Sequence, residues 1–185
     1  MEESKEIQNM GVLNDASAGE SVGHWFAVTV RPQHEQSAEK GLVAKGFETY
    51  LPLYLAVRQW SDRTKTLHLP LFPGYVFCRF DKTQHTMVVR TPGVRTIVSF
   101  GGEPASIPEA QLDVVRKMLA SGSQVEPWPF LEAGQRIRIA SGPLSGVEGT
   151  LVDTPGSCRL VVNIEMFQRA CAVRVDRSAV VALAG

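Results

Sequence analysis

The stretch that most limits the possible folds is residues 121–133, SGSQVEPWPFLEA, which combines Ser, Gly and two prolines. Such a composition is typical of a linker rather than of a helix or strand interior. It divides the 185 residues into segments of about 100 and about 50 residues, each the size of a small domain. We therefore expect a disordered polar leader at 1–23, an N-terminal domain at 24–120, a linker at 121–133 and a C-terminal domain at 134–185.

The N-terminal domain is predicted to begin with a strand and a helix. Residues 25–30, WFAVTV, are aromatic, β-branched or small, which favours a buried strand. After it, Ala38, Leu42 and Val43 recur at helical spacing, and Gly46 stands where a helix would end.

Two extended segments, 48–60 and 67–80, surround a polar turn and predict a long hairpin. A short helix within 81–89 and a strand at 94–100 follow, which gives the order βαββαβ. Ser106 stands three residues before Glu109, the spacing of a capping box, and predicts the start of a final helix.

The C-terminal domain contains short extended segments separated by turn residues. About 50 residues with five such strands predict a small barrel. The five segments are residues 136–139, 148–152, 159–164, 172–175 and 180–183.

The charge distribution limits the kinds of partner. The net charge is zero, but residues 24–122 hold 12 basic and 8 acidic side chains, against 6 and 6 in residues 123–185. This bias suits local phosphate contacts but not tight non-specific nucleic-acid binding, so we expect a protein partner to assist. No apolar run approaches the roughly 18 residues of a membrane span, and we expect a cytoplasmic monomer.

Catalytic and metal-binding patterns are not found in the sequence. The four histidines have no HExxH spacing, the three cysteines form no CxxC pair, and the glycine-rich turn at 141–149 lacks the Lys-Ser/Thr ending of a phosphate loop. We therefore predict a protein that is not an enzyme and has neither cofactor nor metal.

Two stretches resemble known motifs. Residues 70–80, PLFPGYVFCRF, with WFAVTV before them and RTPGVRTIVSFGGEPASIP at 90–108 after them, resemble the N-terminal domain of the NusG family. Residues 134–152, GQRIRIASGPLSGVEGTLV, resemble a KOW motif. The resemblance spans residues 24–184. It implies an α+β fold, in which an N-terminal antiparallel sheet flanked by helices precedes a small SH3-like five-stranded β-barrel. It also implies a factor in transcription elongation and antitermination.

The resemblance implies a contact surface for the clamp helices of bacterial RNA polymerase. Phe72, Tyr75 and Phe77 are its candidate residues, with Trp25 on the neighbouring strand as a weaker one. His85 stands where related proteins contact the other side of the polymerase cleft. The alternative for the four aromatic residues is the domain core, and alternation along a strand allows only some of them to face outward.

A second candidate surface is basic. It is either a solvated surface or, as the resemblance suggests, a contact for the exposed non-template DNA strand. Its residues are Arg31, His34, Lys40, Arg63 and Lys65.

In the family, the KOW barrel recruits a second partner such as ribosomal protein S10 or Rho. Ile164, Met166 and Phe167 are the candidates for that contact here. Three interpretations stay open at this point. The first is a NusG-family factor, either a general NusG or an operon-specific paralogue similar to RfaH, and of these two we favour the paralogue. The second is a ribosome-associated RNA-binding KOW protein, and the third is a protein-interaction adaptor.

Overall fold

The computed structural model describes residues 23–59, 63–154 and 156–183. Apart from Gly23, the predicted leader at 1–23 lies outside these residues. Within the described part of the chain, no helix combines the length and apolar character needed to cross a membrane.

Among the described residues up to Ala120, the chain forms three α-helices, a 3-10 turn at Lys82–Gln84 and nine strands. The strands and helices are β1 (His24–Val30), α1 (Glu35–Ala44), β2 (Glu48–Tyr50), β3 (Leu53–Gln59), β4 (Thr64–Pro70), β5 (Tyr75–Phe80), α2 (His85–Val89), β6 (Val94–Ile97), β7 (Ser99–Phe100), β8 (Glu103–Pro104), β9 (Ser106–Ile107) and α3 (Glu109–Ala120).

The C-terminal part is β-rich, with 3-10 turns at Glu165–Phe167 and Arg177–Ala179. Its strands are β10 (Val125–Trp128), β11 (Gln135–Ile139), β12 (Glu148–Thr154), β13 (Ser157–Ile164), β14 (Arg169–Arg174) and β15 (Val180–Ala182).

The N-terminal sheet has the strand order β2-β5-β1-β6, and β9 also pairs with β1. The predicted long hairpin is present in two parts, because β2 pairs with β5 and β3 pairs with β4. Pro52 separates β2 from β3, and Pro70 ends β4, as expected for residues that cannot donate a ladder hydrogen bond.

Both faces of this sheet are apolar, because β1 and β5 alternate their side chains between two cores. Phe26, Val28 and Cys78 point to one core, which α1 covers with Ala38 and Leu42. The opposite face contributes Trp25, Ala27 and Phe77 to a second core, together with α3 and the C-terminal sheet.

Helix α1 ends as its sequence predicts. Gly46 has φ +85°, its N–H donates to the carbonyl of Val43, and the N–H of Phe47 donates to the carbonyl of Leu42. This is the Schellman pattern, in which a residue without Cβ takes the left-handed conformation and the last carbonyls keep partners.

The predicted capping box before α3 is wrong. Ser106 lies in β9, opposite Phe26 of β1, and Pro108 occupies the N-cap position without a side-chain hydrogen bond. The backbone of Ser106 is used in strand pairing, so Ser106 does not occupy the N-cap position that a capping box requires. A capping box does form at Asp81 and Gln84, before the short helix predicted at 81–89.

The C-terminal sheet is antiparallel, in the order β10-β14-β13-β12-β11-β15. All five predicted strands are present. A sixth strand, β10, lies within the predicted linker and pairs with β14. Ile137, Leu160 and Val173 face inward and join the core formed by Phe77 and α3, so the two sheets share one apolar core.

Candidate functional site

The aromatic residues expected to form a partner surface do lie together. Tyr75 and Phe77 point to the same face of β5, and Phe72 in the preceding turn meets Phe77 edge-on at 5.8 Å between ring centroids. The turn takes this shape because Gly74 has φ +82° and donates its N–H to the carboxylate of Glu35 at 2.8 Å. The resulting aromatic cluster consists of Phe72, Tyr75 and Phe77.

The 3-10 turn at Glu165–Phe167, which joins two strands of the C-terminal sheet, covers this aromatic cluster. The ring of Phe167 lies 5.5 Å from Phe72, 4.9 Å from Tyr75 and 5.6 Å from Phe77, between ring centroids. Phe72 and Phe77 are thereby buried, Tyr75 is half-buried, and Phe167 is 7% exposed. Two sets of candidate residues, one from each sheet, therefore contact each other.

Trp25 lies on the same face but beneath α3. It is 2% exposed, its indole N–H donates to Glu109, and the guanidinium of Arg116 lies 5.3 Å from its ring. Arg116 also lies 4.8 Å from the ring of Tyr50, whose pKa burial raises to about 12. Tyr50 and Arg116 lie far apart in the sequence and meet only in the folded chain, so the sequence did not predict their contact.

The remaining candidates from the C-terminal sheet differ in exposure. Ile164 is fully buried in the shared core, whereas Met166 is 36% exposed. Met166 lines an open cavity of about 490 Å³ together with Tyr75 and Phe100. Phe100, which the sequence did not single out, lies on the β7–β8 hairpin before two glycines and is 84% exposed. An aromatic residue followed by Gly-Gly was the signal available for it.

The basic candidates lie in two groups. Arg31, His34 and Lys40 are exposed at and beyond the start of α1. Arg63 and Lys65 are exposed near the far end of the β3–β4 hairpin, and Lys65 is five residues from the hairpin base, or about 17 Å along the strand. An open cavity of about 540 Å³ separates the start of α1 from that base.

His85 is not part of the aromatic cluster. It begins α2, whose Val88 packs into the core on the α1 face of the sheet. The described residues also contain no group of three or more His, Cys, Asp or Glu side chains placed to hold a metal ion.

These features define a class of α+β protein in which a helix-flanked antiparallel sheet carries an aromatic cluster and a second antiparallel sheet follows it. The family model described as transcription termination factor nusG matches residues 23–116, just over half of the chain. The chain belongs to the NusG family of transcription termination and antitermination proteins.

Curated relatives and a solved structure agree with this family. The chain is 24% identical to the transcription termination/antitermination protein NusG of Helicobacter pylori, over 82% of this chain and 93% of the relative. It is 26% identical to the protein of the same name from Staphylococcus aureus, over 85% and 95%. A structure of Thermotoga maritima NusG, described as showing a domain interaction, shares the fold with a TM-score of 0.51 and 24% identity, covering 88% of this chain and 98% of that chain.

Proposed function

We propose that this protein is an elongation and antitermination factor that binds bacterial RNA polymerase through its N-terminal sheet and recruits a second partner through its C-terminal sheet. Membership of the NusG family supports the general role. The observation that carries the polymerase contact is the aromatic cluster, where Tyr75 adds a hydroxyl to the apolar surface of two phenylalanines. Such a surface suits an amphipathic helical hairpin like the polymerase clamp helices.

Phe100 extends this surface in our proposal. Phe100 is 84% exposed and lines the same cavity as Tyr75 and Met166, so these side chains form a contiguous apolar patch of the kind that partners cover. In the proposal Trp25 does not contact polymerase directly. Its ring packs under α3 and supports the strand that carries the cluster. His85, on the opposite side of the sheet, is suited to contact the other side of the cleft.

The proposal includes a closed arrangement, supported by the ring of Phe167 lying on the aromatic cluster. In this arrangement polymerase and the C-terminal sheet compete for the cluster. The same ring is our candidate, with Ile164 and Met166, for binding ribosomal protein S10 or Rho. Separation of the two sheets therefore exposes both partner surfaces at once, and either partner favours the open form by binding only to it.

Non-template DNA is the third contact in the proposal. Arg31, His34 and Lys40 present exposed side chains at the start of α1, where long basic groups reach phosphates or unstacked bases. Arg63 and Lys65 extend the basic surface along the hairpin. The mechanism is non-catalytic, because the protein stabilises the active clamp state of the polymerase and so disfavours pausing.

We propose that the chain is a specialised, RfaH-like member of the family and acts as a cytoplasmic monomer. The SFGGEP hairpin places Phe100 where it supplements the cluster. We retain residues 24–120 and 134–185 as two domains joined by residues 121–133, with strand β10 inside that joining segment.

A single-round transcription assay at a known pause tests the proposal. The double variant Tyr75→Ala and Phe100→Ala removes two aromatic side chains that are not fully buried and leaves Phe72 and Phe77 in place. The matched control is Val43→Ala, which truncates a 55% exposed apolar side chain on α1. We expect wild type and control to shorten the pause and the folded double variant to lose this effect. Equal activity of all three proteins would contradict the assigned surface.

A further inference from the structure

Strand β10 pairs with the edge of β14, although the sequence around it is typical of a linker. The register places Val125 opposite Val173 and Trp128 opposite Ala170. The N–H of Arg174 donates to the carbonyl of Gln124 at 3.2 Å, which continues the pairing by one residue. The segment that joins the two sheets is therefore itself part of the C-terminal sheet.

Side chains fasten β10 in addition to its backbone. Glu126 accepts from the Nε of Arg159 at 2.7 Å, and the guanidinium of Arg159 lies 5.2 Å from the ring of Trp128. Arg159 and Glu126 are 19% and 30% exposed, so water screens this pair only in part. Val125 is buried in the shared core, and Trp128 packs over Ala170 and Ala172.

The position of β10 limits how far the sheets can separate. Helix α3 ends at Ala120 and β10 begins at Val125, so while β10 stays paired the connection spans at most about 18 Å. If β10 leaves β14, the next attachment is Leu131, held by Asn163 through hydrogen bonds in both directions. The free connection then reaches at most about 40 Å.

We infer that the edge of β14 is an intramolecular binding site whose occupant is the chain's own segment 125–128, and that this segment latches the two sheets in the closed arrangement. Pairing keeps Phe167 at high effective concentration over the aromatic cluster, and release of β10 lowers that concentration by lengthening the connection. Arg159 is the residue that recognises the segment, because it contacts both Glu126 and Trp128. The inference rests on the proposed function only for the consequence that opening frees the polymerase contact.

The test uses the full chain and two measurements that need no partner. Amide hydrogen exchange at Arg174, followed by NMR, reports the pairing of β10, and small-angle X-ray scattering reports the separation of the sheets. The variant Glu126→Ala with Trp128→Ala removes both partners of Arg159. We expect exchange at Arg174 to rise about tenfold and the maximum dimension to increase.

Two further variants make the test specific. Glu148→Ala removes a carboxylate that pairs with Arg138 in the same sheet, away from β10, and is expected to change neither measurement. Trp128→Leu keeps an apolar side chain over the sheet but removes the ring that Arg159 covers, so it shifts both measurements in the same direction with less risk to folding. If exchange at Arg174 rises while the maximum dimension stays that of wild type, β10 is not a latch. If neither changes in folded variants, the assigned side chains do not hold the strand.

Polymerase binding separates this inference from the proposed function. If the variants open and polymerase binds no better, the latch stands and the polymerase surface is wrong. If the variants stay closed, the latch is wrong whatever the polymerase does.

Discussion

Replacing Phe167 with alanine tests whether the closed arrangement competes with polymerase for the aromatic cluster. The Phe167 ring touches three aromatic rings of the N-terminal part of the chain and is 7% exposed, so contacts between the two parts help to bury it. Truncating a buried phenylalanine costs about 3 kcal/mol at the lower end of the usual range. Because the three ring contacts exist in the closed form alone, their loss is expected to raise the open fraction by up to about 100-fold.

The assay is calorimetric titration with a fragment that contains the polymerase clamp helices. The apparent dissociation constant of a ligand that binds only the open form falls in proportion to the open fraction. We therefore expect Phe167→Ala to bind up to about 100-fold more tightly than wild type, until the open form dominates.

The neighbouring change Met166→Ala serves as the control, since that side chain is 36% exposed and its loss is expected to alter affinity less than about threefold. Circular dichroism and thermal unfolding verify that both variants fold. A folded Phe167→Ala protein with the affinity of wild type would refute the competition between polymerase and the C-terminal sheet for the aromatic cluster.

Three smaller predictions concern single positions. Gly46→Ala forces a side chain into the left-handed conformation at the end of α1 and should lower the free energy of unfolding by about 1 kcal/mol in urea titrations. Glu35→Ala removes the acceptor of the Gly74 N–H and should cost about 1–2 kcal/mol, whereas Glu35→Gln, which keeps an acceptor, should cost less; equal losses would contradict the role of that hydrogen bond. Iodoacetamide at pH 8 should modify Cys158 before Cys171, because burial raises the pKa of the Cys171 thiol to about 12 and leaves almost no thiolate. Mass spectrometry of the labelled peptides checks the order, and faster labelling of Cys171 in the folded chain would contradict it.

Local signals predicted most of the secondary structure. Gly46 marked the end of α1 because a residue without Cβ takes the left-handed conformation there, and the aromatic, β-branched and small residues at 25–30 marked β1. Ser106 misled, since its capping-box spacing is a local signal, whereas its pairing with Phe26 joins residues 80 positions apart. A non-local strand outcompeted the local motif.

Contacts between residues far apart in the sequence also decide the structure of the linker and of the site. Residues 125–128 lack the composition of a strand, and they become one only because β14, over 40 residues later, offers a free edge. The FPGYVF pattern identified Tyr75 and its neighbours as one surface, because alternation on a bent strand is local. That Phe167 covers Tyr75 could not be predicted, because the contact joins residues more than 90 positions apart and depends on how two sheets dock.

Pro127 has a consequence for solubility. Since Gln124 directs its carbonyl toward β14, alternation turns the backbone of Pro127 to the outer edge of β10, where a proline offers no N–H to an incoming strand. The closed protein thus presents an edge that resists pairing with other chains. Release of β10 uncovers the full edge of β14, whose middle residues Ala170, Cys171 and Ala172 carry no charge. The open form is therefore the form prone to self-association, unless a partner covers the exposed edge of β14.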